Sequence, residues 1–315
     1  METKNCLVTG GLGLLGTSIV EKLLKKGHQV TVVDDLSFCE KSLTVNDIKW
    51  PFMKDVTFVN GDISDSKFID SVKNTNFDWI FNFGSYSSDR YFEKNDKDGI
   101  YKTIFGMLNV LKLSSQMGDI PVIYPSSGTV YGNSISPQRE DQQLKPQTLY
   151  SITKIYLEML SKMFAKTRSY GLRIFTGYGP REIYKGNIAG VVTLFTLSAL
   201  KGENIEVYGD GEQKRDFIEA DDVAEIAVRI ANSNMDSTEI NCGSGKSYSF
   251  NDLIKLIAEK VEKEVKVVHV ESKTRFVAET RPDITKLKTI IGFEPPDLKK
   301  KYNLYFEKLL ELYNS

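Results

Sequence analysis

A tyrosine and a lysine four residues apart, in Tyr150-Ser-Ile-Thr-Lys154, are the side chains in this sequence with the clearest chemical potential. The flanking residues read as a helix, and a four-residue spacing puts both side chains on one helical face. A phenol of pKa near ~10 is a poor base at neutral pH. An ammonium group a few ångströms away favours the phenolate and lowers that pKa, so the pair could take a proton and return it. Fifteen tyrosines in a lysine-rich chain also make about one such pair expected by accident. An amphipathic helix with Tyr buried and Lys in solvent gives the same spacing. The rest of the chain has to decide between the two.

Few other groups compete for the chemistry. Only His28 and His269 are present, so neither a histidine-based zinc site nor a Ser-His-Asp triad is expected, and both histidines read as surface or packing residues. Cys6, Cys39 and Cys242 are odd in number and far apart, which suggests no disulfide framework and no CxxC metal site. No metal is expected, and a reducing cytoplasm is the expected location. The formal net charge is −1 and no long basic run occurs, which argues against nucleic acid as the main partner. No apolar run reaches the ~18 residues of a membrane span. The N-terminus enters a strand pattern at once, without room for a signal peptide. The 315 residues suffice for one large domain or two unequal ones. No repeat, low-complexity tract or flexible linker is evident.

The elements that would position Tyr150 and Lys154 begin at the N-terminus. Asn5-Cys6-Leu7-Val8-Thr9 has the length of a buried strand. It ends in Gly10-Gly11-Leu12-Gly13-Leu14-Leu15-Gly16, after which apolar residues repeat at helical spacing up to Gly27. Strand, glycine turn and helix are the context in which GxGxxG cradles a pyrophosphate: the backbone approaches closely and the helix start supplies free N–H groups. A second strand, Val30–Val33, ends at Asp34-Asp35. Asp34 lies about twenty residues beyond the turn, where a carboxylate accepts both hydroxyls of an adenosine ribose and repels a 2′-phosphate, so NAD is expected over NADP. Asp35 reads as a loop residue or a helper. Thr57-Phe58-Val59 leads to Gly61-Asp62-Ile63, whose acid could accept from the adenine amino group. Strands at Trp79–Phe81 and Val122–Tyr124 lead to Asn82-Phe83-Gly84-Ser85 and Pro125-Ser126-Ser127-Gly128. Strands alternating with helices imply an α/β fold with a doubly wound parallel sheet of Rossmann type. Gly10, Asp34, Asp62, Gly84 and Ser127 should then share the edge beyond the strand C-termini, where such sheets bind ligands.

With these segments in place, the chain resembles the extended short-chain dehydrogenase/reductases, in particular the NAD-dependent nucleotide-sugar epimerase/dehydratase family. The resemblance is carried, in order, by Thr9–Gly16, Val33–Leu36, Gly61–Ile63, Ser126–Gly132, Tyr150–Lys154, Leu172–Phe175, Tyr178–Arg181, and Val207–Gly211 with Arg215-Asp216-Phe217. It implies that Tyr150 is the acid/base. Lys154 would hold the nicotinamide ribose and depress the tyrosine pKa, and Ser127 would bond the substrate hydroxyl being oxidised. The cofactor would be held by Gly10, Gly13, Leu14, Leu15, Gly16, Asp34, Asp35, Asp62, Ile63 and Gly84, together with Tyr150 and Lys154. The substrate would be a nucleotide-diphosphate sugar, with a UDP-hexose favoured. Asn187 and Arg215 would contact the sugar–diphosphate, Val207 and Tyr208 would line the base pocket, and Arg275 or Arg281 would supply a second diphosphate ligand. Thr176 stands where an Asn is usual near the diphosphate. Thr103 likewise replaces a usual Asn, and Asn82-Phe83-Gly84-Ser85 replaces a commoner His-Leu-Ala-Ala type. Tyr131 is expected to pack rather than react. Family members often dimerise through two helices, here near Thr103–Gln116 and Tyr150–Lys166, so a homodimer is expected.

The second half reads as a smaller, interwoven substrate region, with a nominal division into residues 1–176 and 177–315. Ile188 to Leu200 and Ser249 to Glu264 read as helices, and Ile205–Tyr208 as a short strand. Asp297 to Tyr313 reads as a further helix whose Lys299-Lys300-Lys301 run would face solvent. The alternative for Arg215 is an ion pair with Asp216 or Asp221. The resemblance implies a shared first step, in which the tyrosinate takes the proton of the sugar 4-hydroxyl while hydride passes from C4 to NAD⁺. Dehydratases of this kind carry Asp-Glu directly after the catalytic Ser/Thr, and glucuronate decarboxylases carry Glu at the position of Thr129. This chain has Gly128-Thr129 there. Cysteine-dependent 3,5-epimerisation finds no cysteine in this segment, and 4-keto reductases prefer NADP. A 4-epimerase needs no additional acid or base, so 4-epimerisation is the reading that remains. Other nucleotide-sugar chemistry (4,6-dehydration, decarboxylation, 2-epimerisation, C4 oxidation), a steroid-type hydroxy dehydrogenase and a non-catalytic NAD-binding protein stay open.

Overall fold

The computed structural model describes residues 2–37, 50–261, 264–271 and 277–314. Cys39 and Arg275 therefore lie outside the described residues. The centre of the molecule is a seven-stranded parallel sheet. Its strands are β1 (Asn5–Thr9), β2 (Gln29–Asp34), β3 (Thr57–Asn60), β4 (Trp79–Asn82), β5 (Val122–Ser127), β6 (Ser169–Ile174) and β10 (Thr238–Cys242), in the order β10-β6-β5-β4-β1-β2-β3. The order reverses between β1 and β4, which places the ligand crevice of a doubly wound sheet at their C-terminal ends. The seventh strand comes from beyond the nominal boundary at residue 176.

Both faces of the sheet are covered, so its strands are apolar on both sides. Cys6 and Val8 of β1 pack on one face with Ile19, Val20 and Leu23 of α1 (Leu14–Lys25) and Val223, Ala227 and Ile230 of α7 (Ala220–Ala231). Leu7, between them in sequence, points the other way onto Met107, Val110 and Leu111 of α4 (Asp96–Gln116) and Leu157 and Leu160 of α5 (Leu149–Met163). The short helices α2 (Lys67–Val72) and α3 (Asp89–Lys94) lie on the α4 side.

The remaining elements build a second, smaller layer. Strands β7 (Thr176–Tyr178), β9 (Lys214–Glu219), β11 (Ser247–Ser249) and β13 (Glu279–Thr280) form one sheet, and β8 (Ile205–Tyr208) pairs with β12 (Val267–Val270). Helices α6 (Val191–Lys201), α8 (Phe250–Ala258) and α10 (Leu298–Tyr313) enclose a core with Tyr178, Val207, Phe217 and Leu253. Helix α9 (Thr285–Ile291) packs beside β10. No single helix among the described residues is long and apolar enough to cross a membrane.

Three expectations need correction. The helix expected from Ile188 starts only at Val191, capped by Gly190, because Pro180–Ile188 is a 3-10 stretch broken at Gly186, which has φ +53°. The helix expected to Glu264 ends at Ala258. Of the three lysines at the start of α10, Lys301 is not solvated: its Nζ lies 2.9 Å from Glu219 and 3.1 Å from Asp222, two acids buried at the base of α7.

Candidate active site

A large cleft of about 670 Å³ runs along the C-terminal edge of the main sheet and under the smaller layer. Its walls include every residue expected to hold the cofactor: Gly10, Gly13, Leu14, Leu15, Gly16, Asp34, Asp35, Asp62, Ile63 and Gly84, with Tyr150 and Lys154. The glycine turn is as tight as its sequence requires. Gly10 adopts φ +62°, and a Cβ there would lie 2.5 Å from the Phe83 carbonyl oxygen; a Cβ on Gly16 would lie 2.0 Å from that of Gly10. Helix α1 has no side-chain N-cap, so its first N–H groups at Leu14 and Leu15 are left facing the cleft.

Asp34, at the end of β2, accepts the Leu12 N–H at 2.9 Å and the Leu36 N–H at 2.8 Å. Burial pushes its carboxyl up to about 6 against the pull of those two bonds. Lys102 on α4 reaches across to Asp35 at 2.6 Å and Asp62 at 3.1 Å, joining the loops after β2 and β3. Sequence reasoning missed Lys102, since its partners are 67 and 40 positions away and no local pattern marks it. One residue on, Thr103 is buried, and its hydroxyl has no partner among the described residues.

At the other end, Ser127 closes β5 and Tyr150 and Lys154 stand one turn apart on α5. The helix start is fixed by a capping box: Thr148 Oγ1 accepts the Ser151 N–H at 3.2 Å, and Ser151 Oγ accepts the Thr148 N–H at 3.0 Å. Both functional side chains are buried, so the alternative of a buried tyrosine with a solvated lysine does not describe them. The Lys154 ammonium donates to Ser85 Oγ at 3.1 Å and sits 5.3 Å from the centre of the Tyr150 ring. Burial alone pushes Lys154 down to about 7. The expected depression of the Tyr150 pKa is not what the protein by itself provides. Burial raises it, contact with Ser127 opposes the rise, and Asp89 adds to it. Desolvation of the phenolate is the dominant cause. Asp89 also accepts from Thr148 Oγ1 at 2.5 Å, and Phe92 packs edge-on against Tyr150 at 5.4 Å, so α3 forms the outer wall here.

On the side of the smaller layer, Thr176 and Arg215 reach the cleft. Arg215 donates to the carbonyls of Lys214 (2.7 Å) and Val277 (2.9 Å) and lies 5.9 Å from the Phe250 ring; it makes no ion pair with Asp216 or Asp221. Burial of Asp216 beneath it serves another purpose, accepting the N–H groups of Ser244 and Lys246. Four expected substrate residues are not brought to the wall. Asn187 is exposed outside it, and Val207 is fully buried in the second core because β8 alternates inward and outward. Tyr208, on the outward side of β8, is exposed. Arg281 points to Glu279 at 3.4 Å, and its neighbour Thr280 lines the cleft instead. Phe250, Glu182 and Lys185 also line it, and sequence reasoning had marked none of them.

The family model for the NAD-dependent epimerase/dehydratase family matches residues 6–243, three quarters of the chain. The chain belongs to that family. Its cofactor is NAD, and the glycine turn, the uncapped α1 and the Asp34 carboxylate at the end of β2 on the cleft wall fit that group. UDP-glucuronic acid decarboxylase 1 of Xenopus tropicalis is 29% identical, over 98% of this chain and 74% of its own. UDP-glucose 4-epimerase of Thermotoga maritima, solved with UDP-glucose, matches with a TM-score of 0.88 at 29% identity, covering 98% of this chain and 99% of its own. UDP-N-acetylglucosamine 4-epimerase of Methanobrevibacter ruminantium, in complex with UDP-N-acetylmuramic acid, gives 0.89 at 27%, with 99% of both chains covered. The relatives of this epimerase/dehydratase thus include both epimerases and decarboxylases acting on UDP-sugars.

Proposed function

We propose that this enzyme is a nucleotide-sugar 4-epimerase acting on a UDP-hexose. The observation that carries the reading is the acid/base set on the cleft wall: Ser127, Tyr150 and Lys154, with Ser127 followed by Gly128 and Thr129 and not by a carboxylate. A Cβ at Gly128 would meet the Phe175 ring at 3.1 Å, a tight contact that the ring would have to relieve before an Asp could stand there. Thr129 Oγ1 donates to Ser127 Oγ at 3.0 Å, orienting the serine rather than offering a second base. NAD, when bound, supplies a two-electron acceptor and donor for the sugar carbon. Ser127 and Tyr150 would share the sugar 4-hydroxyl, and Tyr150 would act from its phenolate form, which a neighbouring cation such as the Lys154 ammonium favours, and accept the hydroxyl proton as C4 gives up its hydride. After the keto sugar turns over, hydride would return to the opposite face of C4 and Tyr150 would give the proton back to the C4 oxygen. Thr176, Arg215 and Thr280 would hold the diphosphate side, Arg215 through its paired donors.

A homodimer is part of this proposal. Tyr101 and Phe105 on α4, and Ile152, Tyr156, Met159 and Met163 on α5, are large apolar side chains left exposed on adjacent helices. Buried free Cys6 and Cys242 support a cytoplasmic location.

A panel of nucleotide sugars incubated with enzyme and NAD, read by mass spectrometry and NMR, tests the reading. The expected product has unchanged mass and inverted C4. Loss of carbon dioxide would instead support the decarboxylase reading that the Xenopus relative favours, and loss of water a dehydratase. Tyr150→Phe should lower turnover by about 100- to 10,000-fold; full activity in that variant would sink the proposal.

A further inference from the structure

Beneath the catalytic residues lies a buried ion pair that the reaction itself does not use. Tyr150, Lys154 and Glu158 follow one another at four-residue spacing on the inner face of α5. Glu158 is 2% exposed and Arg173, on β6, is 4% exposed. Arg173 grips the carboxylate with two parallel bonds, Nε to Oε1 at 2.9 Å and Nη2 to Oε2 at 2.8 Å. Ser126 donates to the same carboxylate at 2.5 Å. Ser126 and Arg173 are register partners on β5 and β6, and Ser126 directly precedes Ser127. One carboxylate thus fastens the catalytic helix across two adjacent strands, one residue from the substrate-facing serine.

The bonds continue outward. Arg173 Nη1 donates to Tyr131 Oη at 2.9 Å, and Tyr131 donates to Asn241 Oδ1 at 2.7 Å. Asn241 Nδ2 donates to the carbonyls of Gln138 (2.9 Å) and Asp283 (3.1 Å). Gln138 in turn holds the Arg281 N–H at 2.8 Å, next to Thr280, whose strand pairs with Arg215. We propose that Glu158 and Arg173 are positioning residues: they set the placement of Tyr150 and Lys154 against Ser127 and tie that frame to the strands carrying Thr280 and Arg215.

Stability alone gives a weak reason for such a pair, since a buried ion pair often does no better than apolar residues of the same volume. Apolar contacts such as Leu157 and Leu160 are non-directional and let a helix settle at slightly different depths. Bidentate bonds are directional, and a misplacement of about 1 Å at a reacting group costs roughly 100-fold in rate.

The inference rests on the epimerase reading only for its turnover assay. Ser126→Ala, Glu158→Gln and the double variant Glu158→Met/Arg173→Met would be compared with wild type. All three should lower kcat by about 10-fold or more while KM for the sugar nucleotide stays within about 3-fold, the pattern of lost transition-state positioning. The double variant removes both charges, so it should fold and melt near wild type, yet stay slow. Amide hydrogen exchange across residues 150–154, which needs no sugar, should quicken several-fold in the double variant and not at β1 or α1. Wild-type kcat in the folded double variant, or unchanged exchange at residues 150–154, overturns the proposal. A wild type that turns over no sugar while the exchange shift persists counts against the epimerase reading alone.

Discussion

Asp34, proposed to accept the ribose hydroxyls of the cofactor, would join cofactor choice to a pH response. Its carboxyl is 5% exposed and pushed up to about 6, from an ordinary 3.8, because burial outweighs the two backbone N–H bonds it accepts. With the folded pKa above the unfolded one, this group on its own favours folding more as pH falls from about 6 toward 4. Cofactor binding has the opposite sign, since the ribose hydroxyls need the carboxylate as acceptor. NAD affinity, measured by fluorescence titration, should therefore weaken as pH drops from 7 to 5. Asp34→Asn should flatten that dependence and narrow the preference for NAD over NADP. A profile unchanged by the substitution would mean that Asp34 does not face the ribose. That an acid ends the second strand was legible in the sequence; its buried, raised state was not, because desolvation depends on what packs around it.

Among the elements, the β1–turn–α1 unit and α5 were the most legible, and for related reasons. Each has local signals that agree with its tertiary role: glycines where backbone must approach backbone, and a Thr148–Ser151 capping box ahead of an apolar stripe. A Cβ on Gly16 has no room beside the Gly10 carbonyl, and only backbone could move to admit it. Gly16→Ala should raise the NAD Kd by about 100-fold or more, about 3 kcal/mol, with a lowered melting temperature. Retention of tight binding would show that the turn has slack that the geometry denies. The helix read from Ile188 starts three residues late, because Ile188 ends the 3-10 stretch that begins at Pro180, in which Glu182 accepts from Lys185 and Thr193.

At the level of the whole molecule, the exposed apolar stripe on α4 and α5 is a feature that the single chain leaves unexplained. If two copies bury it against each other, Met159→Lys should give a monomer by light scattering at micromolar concentration, with NAD affinity unchanged. A wild type that is already monomeric would remove the dimer from the proposal. The same α5 carries Tyr150 and Glu158 inward, so its inner face serves the site while its outer face is free for a second copy.

By itself the sequence determined the parallel sheet, the glycine turn, the acid that ends the second strand and the pairing of Tyr150 with Lys154 on one helical face, because each depends on periodicity or on a short motif whose geometry is local. Only the tertiary structure decided which groups meet across the chain. Lys102 closes on Asp35 and Asp62, Ser85 takes the Lys154 ammonium, and Arg173 reaches Glu158. It also withdrew Val207 into the core and put Thr280, not Arg281, on the wall. Such pairings are set by how layers stack and strands register, and a side chain's direction flips with a shift of one residue along a strand. The same physics raises the Tyr150 pKa in the protein by itself, through burial. Four-residue spacing can promise a nearby ammonium, but the depth of burial decides whether that ammonium is charged.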